Sequence, residues 1–144
     1  PKIQISNSLN ITSVNNKTVQ SLLEFDDGIY LHQVVERVGQ QLNRFKDIKD
    51  AVSSYHLKSK GKDMDNHEWR VHFHVPIFLE TLSVFHTTQT FIRHILSVHS
   101  KYNLTQHFEV ETYTWSVLPK QYKDENVSRL ITRELIWARD LLQS

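Results

Sequence analysis

Two histidines and two glutamates are spaced for joint chemistry. His72 and His74 stand two apart in Trp69-Arg-Val-His-Phe-His-Val, and Glu109 and Glu111 stand two apart in His107-Phe-Glu-Val-Glu-Thr-Tyr. Side chains two apart on a strand share a face. Each pair therefore presents its polar groups together, opposite Val71, Phe73 and Val75 in the first run and opposite Phe108 and Val110 in the second. Imidazole nitrogen with carboxylate oxygen suits a divalent ion such as Zn, Mn, Co or Fe(II), with Mg less favoured as histidines are added. Each pair also has a plainer use. A His-x-His pair can be a hydrogen-bonded structural pair, and a Glu-x-Glu pair a solvated strand face.

The flanking sequence supplies strands and helices to carry them. Lys2 to Leu9 alternates Ile3 and Ile5 with polar residues and reads as a first strand, and Asn16 can cap a helix from Lys17 to about Phe25 that ends at Asp26-Asp27-Gly28. Ile29 to Glu36 reads as a strand, Gly39 to Phe45 is ambiguous, and Ile48, Val52 and Tyr55 mark a short helix. Leu57 to His67 is polar and reads as a surface loop. Glu68 to Phe78 carries the strongest alternation, which Pro76 should end. A helix from Thr87 or Thr88 to about Tyr102, a strand from His107 to Tyr113, a loop at Pro119 and a helix from about Glu125 to Leu142 complete the order. Strand, helix, strand, helix is the pattern of a βαβ unit with adjacent parallel strands. On that reading the His pair and the Glu pair lie on neighbouring strands about 4.8 Å apart, with His74 and Glu111 nearest the carboxyl ends where such folds bind ligands.

Composition narrows the function classes. At 144 residues the chain reads as one domain and is well short of the roughly 250 residues of a complete eight-stranded α/β barrel. Apolar residues at 39% and charged residues at 23% belong to a globular domain rather than a disordered tail. Lys plus Arg number 17 against 16 Asp plus Glu, a net +1, so no phosphate-backbone footprint points to nucleic acid. With no cysteine, a metal would need His, Asp or Glu ligands, and a reducing cytoplasm suits the chain. No apolar run approaches the roughly 18 residues of a membrane span. Beginning at Pro1 in what already reads as a strand, the chain resembles a mature product or a fragment. Phosphate-binding glycine loops and the Gly-x-Ser-x-Gly elbow are missing from the sequence.

Other polar residues have weaker claims. His32, within Leu31-His32-Gln33, could face the same interior, with structural hydrogen bonding its commoner use; Tyr113 and Trp115 continue the register of Glu109 and Glu111 and could stack on a flat ligand. His56, His67, His86, His94 and His99 read as surface residues.

Several blocks together resemble a known family. Trp69-Arg-Val-His-Phe-His-Val-Pro-Ile-Phe, Thr87-Thr88-Gln89, His107-Phe-Glu-Val-Glu-Thr-Tyr-Thr-Trp-Ser-Val-Leu-Pro119 and Tyr30-Leu-His-Gln-Val-Val look like the carboxyl-terminal part of the EboE-type metabolite-traffic proteins. Those belong to the xylose-isomerase-like, sugar phosphate isomerase/epimerase superfamily of TIM barrels. The resemblance implies parallel βα units from the C-terminal half of a (β/α)8 barrel, and a metal-dependent isomerase or epimerase acting on a sugar or polyol. It implies His74 and Glu111 as metal ligands, with Glu109 less favoured and Glu111 as ligand or base; by strand position His72 and Glu109 lie one step deeper than His74 and Glu111. The superfamily's Asp ligand has no counterpart in the first strand, Gln4-Ile-Ser-Asn-Ser, which keeps open a non-catalytic metabolite-binding component. A metal-dependent hydrolase or endonuclease-like barrel is a further alternative. A half-barrel leaves open strand edges, so self-association into a homo-oligomer is expected.

Overall fold

Between His67 and Val75 the side chains of Trp69, Val71, Phe73 and Val75 are fully buried, while Arg70 and His72 are exposed. A period of two this regular selects a strand, and Pro76, which lacks an N–H, ends it. The computed structural model describes residues 1–26, 28–60, 66–112, 118, 122 and 125–143. Its elements are β1 (Ile3–Ile5), β2 (Asn7–Ile11), α1 (Asn16–Leu23), β3 (Val34–Val38), β4 (Gln41–Phe45), α2 (Ile48–Ser59), β5 (His67–Val75), β6 (Thr81–Leu82), β7 (Phe85–Thr87), α3 (Gln89–Tyr102), β8 (Phe108–Val110) and α4 (Val127–Leu142). They form a six-stranded antiparallel sheet in the order β4-β3-β5-β2-β7-β6 and a two-stranded parallel sheet of β1 and β8.

This overturns the parallel βα units expected of a TIM half-barrel. The strand bearing the histidines pairs antiparallel with β3, Val34 opposite Val71, whereas the strand bearing Glu109 pairs parallel with β1, Ile3 opposite Phe108, and Glu111 lies just beyond its end. The connections explain why. Parallel neighbours need a crossover of a dozen or more residues, but only Gly39 and Gln40 separate β3 from β4, and only Ser83 and Val84 separate β6 from β7. Gly39 has φ +58 at the first central position, the geometry of a II′ hairpin turn, which makes Gln41 to Phe45 a strand returning antiparallel to β3.

The chain divides into a central unit, Leu9–Phe73 with Thr81–His86, and a terminal unit, Pro1–Ser8, His74–Glu80 and Thr87–Ser144. Strands β2, β5 and β7 contribute residues to both.

In the central unit, α1 begins with a capping box in which Asn15 accepts from the Thr18 N–H and Thr18 Oγ1 accepts from the Asn15 N–H. Asp47 caps α2 and accepts from the N–H of His32 at 3.0 Å as well as that of Ile48 at 2.8 Å. That tie accounts for a correction at the third strand. Ile29 and Leu31 are exposed, the His32 backbone is bound to a helix cap, and β3 starts only at Val34. Aromatic edges fill the core: Phe25 meets Phe73 at 5.2 Å and Phe85 at 5.7 Å, and Tyr55 meets Trp69 at 6.3 Å.

In the terminal unit, Ile5, Ile77, Ile92, Leu96 and Ala138 form a buried cluster with Ile3, Phe108, Val110 and Trp137 packed against it. Helix α3 ends at Asn103, left-handed with φ +46, whose N–H bonds the His99 carbonyl at 2.7 Å. The first expected strand divides at Ser6 without losing phase, since Asn7, Leu9 and Ile11 continue the inward positions of Ile3 and Ile5. Buried Asn7 donates to the carbonyls of Pro76 and Leu79 and accepts from Thr88. Among the described residues, no helix is long and apolar enough to cross a membrane.

Replacing Phe73 by Ala removes a ring that has no exposure and touches Phe25 and His32; the expected loss is roughly 3–5 kcal/mol. Leu57, 80% exposed, should lose no more than about 0.5 kcal/mol on the same change. Urea unfolding of both variants measures the contrast.

Candidate functional site

The terminal unit brings His74 and Glu111 together by a route the strand order did not anticipate. The His74 ring is 3% exposed, and its Nδ1 lies 3.0 Å from the backbone carbonyl oxygen of Glu111 and 3.4 Å from Ser6 Oγ. A carbonyl only accepts, so it is Nδ1–H that donates to Glu111. Glu111 in turn anchors its own N–H on the Ile5 carbonyl at 3.0 Å and takes the Gln4 side-chain amide on its carboxylate. Imidazole and glutamate thus meet through backbone rather than through the carboxylate.

The other two predicted residues are placed apart. Glu109 is opposite Gln4 in the β1–β8 register, on the face away from Phe108 and Val110, and forms an exposed ion pair with Lys2. His72 belongs to the central unit, where its side chain is exposed and its N–H bonds the Gln33 carbonyl at 2.8 Å. Tyr113 and Trp115 lie outside the described residues.

Among the described residues, no group of three His, Cys, Asp or Glu side chains is arranged to hold a divalent ion. The carboxylates of Glu109 and Glu111 are engaged with Lys2 and Gln4. The described donors do not assemble a ligand set.

Two buried carboxylates escaped the sequence reading. Glu134, 1% exposed on α4, accepts from the Ile77 N–H at 2.9 Å and from the Thr112 hydroxyl at 2.7 Å. Burial pushes its carboxyl above the ordinary range, and those two hydrogen bonds only partly oppose the shift. Its position was a signal, since Leu130, Glu134 and Ala138 are spaced by four and place a carboxylate inside an apolar helical stripe.

Glu36, 2% exposed in the central unit, is the second. His67 Nδ1 at 2.9 Å and Trp69 Nε1 at 3.2 Å donate to one oxygen; Asn43 Nδ2 at 2.8 Å and Lys58 Nζ at 3.3 Å donate to the other. Burial pushes this carboxyl up, but the bonds from His67, Asn43 and Trp69 with the Lys58 charge hold it below the ordinary range. His67, expected at the surface, is a half-buried donor here because β3 sets Val38 opposite His67 and Glu36 opposite Trp69. His32 departs from expectation too. Its ring stacks on Phe73 at 5.1 Å, and neither ring nitrogen has a hydrogen-bond partner among the described residues.

Comparison with family models, curated proteins and solved structures gave no match.

The two carboxylates predict opposite pH signatures. Glu36, depressed in the fold, adds stability above the ordinary carboxylate value, and that increment is lost as pH falls through its lowered value. Glu36→Gln should flatten the acid side of the stability curve. Glu134, raised in the fold, adds stability below the ordinary value and loses it as pH rises through its raised value. Glu134→Gln, which keeps an oxygen acceptor for Ile77, should match or exceed the parent at pH 8, with the difference shrinking towards pH 4. Thermal melts across that range measure both.

Proposed function

We propose that this chain is a metabolite-binding component for a small sugar-like or polyol ligand, working without catalysis of its own. The observation that carries the reading is the Gln4–Glu111 pair, an exposed amide on a half-buried carboxylate, with the Glu111 backbone fixed from beneath by His74. Carboxylate and amide side by side offer acceptors and donors to neighbouring hydroxyls, and a pre-fixed backbone reduces the ordering cost of binding. The resemblance to metabolite-traffic proteins supports the ligand class. A cysteine-free chain suits a cytoplasmic setting, and association of copies through strand edges accompanies this reading.

Titrating the chain with xylose, xylitol and myo-inositol by NMR should give saturable shifts at Gln4 and Glu111. Glu111→Ala and Gln4→Ala should each weaken binding by about tenfold, in line with losing a hydrogen bond to a charged group. Equal binding by both variants, or turnover of any of the three compounds, would overturn the proposal.

One observation favours a second reading, that of a metal-dependent sugar isomerase or epimerase. The Nδ1–H of His74 is directed at a backbone carbonyl, as in many metal-ligating histidines. That reading needs further ligands from outside the described residues. Metal analysis of the full-length protein tests it: His74→Ala and Glu111→Gln should each lower the bound metal, and unchanged content in both would sink it.

A further inference from the structure

The central unit holds a second polar cleft that the sugar-binding reading does not use. Antiparallel register sorts the side chains of β3, β4 and β5 onto two faces. Val34, Glu36, Trp69 and Val71 are buried on one face, the side on which α2 meets the sheet through the Tyr55–Trp69 and Lys58–Glu36 contacts. Arg37, Arg44, Glu68 and Arg70 take the opposite face, where Val35 stands opposite both Arg44 and Arg70, and Arg37 stands opposite Glu68. Three guanidiniums therefore share that face with one carboxylate from these strands. The other half of the chain's nearly neutral balance lies elsewhere.

Glu68 is wedged between two of them. Arg37 Nε donates to its Oε2 at 3.0 Å and Arg37 Nη2 reaches the same oxygen, while Arg70 pairs with Oε1 and also bonds Asn10. The Glu68 side chain is 14% exposed against 60% for Arg37, so the carboxylate lies at the base and the guanidinium stands out into solvent. A partly solvated ion pair of this kind contributes little stability, but it fixes the orientation of Arg37. Beside it opens a cleft of about 590 Å³ lined by Thr12, Arg37, Val38, Gly39, Asn66 and Glu68. That volume is in the range of small-molecule sites, and its walls supply a hydroxyl, a side-chain amide and a pre-oriented guanidinium.

We propose that this cleft binds a small oxyanion, a carboxylate or phosphate group on a polar molecule, with Arg37 as the principal donor and Glu68 as its internal competitor. Two guanidiniums on one carboxylate leave an excess of one positive charge, which an incoming monoanion neutralises. A planar fork with five N–H donors accepts a second oxyanion beside the first. Thr12 and Asn66 supply donors for the remaining oxygens. Binding draws on local charge, so it weakens as salt is raised.

The test is calorimetric titration of the 144-residue chain at low salt with inorganic phosphate and, separately, with malate. Saturable one-to-one binding of either is expected, the stronger of the two naming the source of the oxyanion. Arg37→Gln should weaken it by about tenfold or more, the usual cost of a charge-assisted bond. Glu68→Gln should strengthen it several-fold, a change of sign that unfolding cannot mimic. Arg44→Gln, on the same face but outside the cleft, should change it less than about twofold. No saturable binding of either anion, or an Arg44→Gln loss equal to that of Arg37→Gln, overturns the proposal. Gln4, His74 and Glu111 take no part in this cleft, so anion binding and sugar binding can fail independently.

Discussion

Four fully buried apolar side chains on one strand, Trp69, Val71, Phe73 and Val75, set the terms for everything attached to them. Burying a side chain of this size is worth about 1.5–3 kcal/mol, and the four can be buried together only if β5 is extended and one whole face is turned inward. Once that face is chosen, the parity of every neighbour follows. Arg70 and His72 must face out, Trp69 brings its indole N–H to Glu36, and Phe73 offers its ring to Phe25 and His32. A slip of one residue would bury Arg70 and His72 and expose two large aromatics, so the register is strongly determined.

Side-chain periodicity could be read directly from the residues, and it correctly located β5, α3, the last helix and the opposed faces of β8. Pairing could not. Period two describes which face a residue takes and contains nothing about which strand lies beside it or in which direction. The deciding information was in two-residue turns, and the Gly39 turn is too short to stand out against a polar neighbourhood. The same limit governed the site. His74 and Glu111 do meet, as the spacing suggested, but through a backbone carbonyl that carries no signature of its own. Glu134 and Glu36 were passed over because a carboxylate in an apolar stripe resembles an exposed one until its partners, Thr112 and Ile77 or His67 and Trp69, are brought near by the fold.

The two units solve the burial of charge differently. In the central unit, Glu36 is ionised and surrounded by four donors, which offset the cost of removing it from water. In the terminal unit, Glu134 has two donors on one oxygen and shifts towards its neutral form instead. Few donors and burial favour protonation, and many donors favour charge.

The ring of donors around Glu36 also bears on how this sequence could change over time. Its members come from β4, α2 and β5, segments separated by many residues, yet each is tied to the same two oxygens. A lone replacement leaves a buried carboxylate short of a partner, whereas losing the acid alone strands several donors at once. Variation at these positions should therefore be correlated, with Asn43, Lys58, His67 and Trp69 free to drift only after Glu36 itself has been lost.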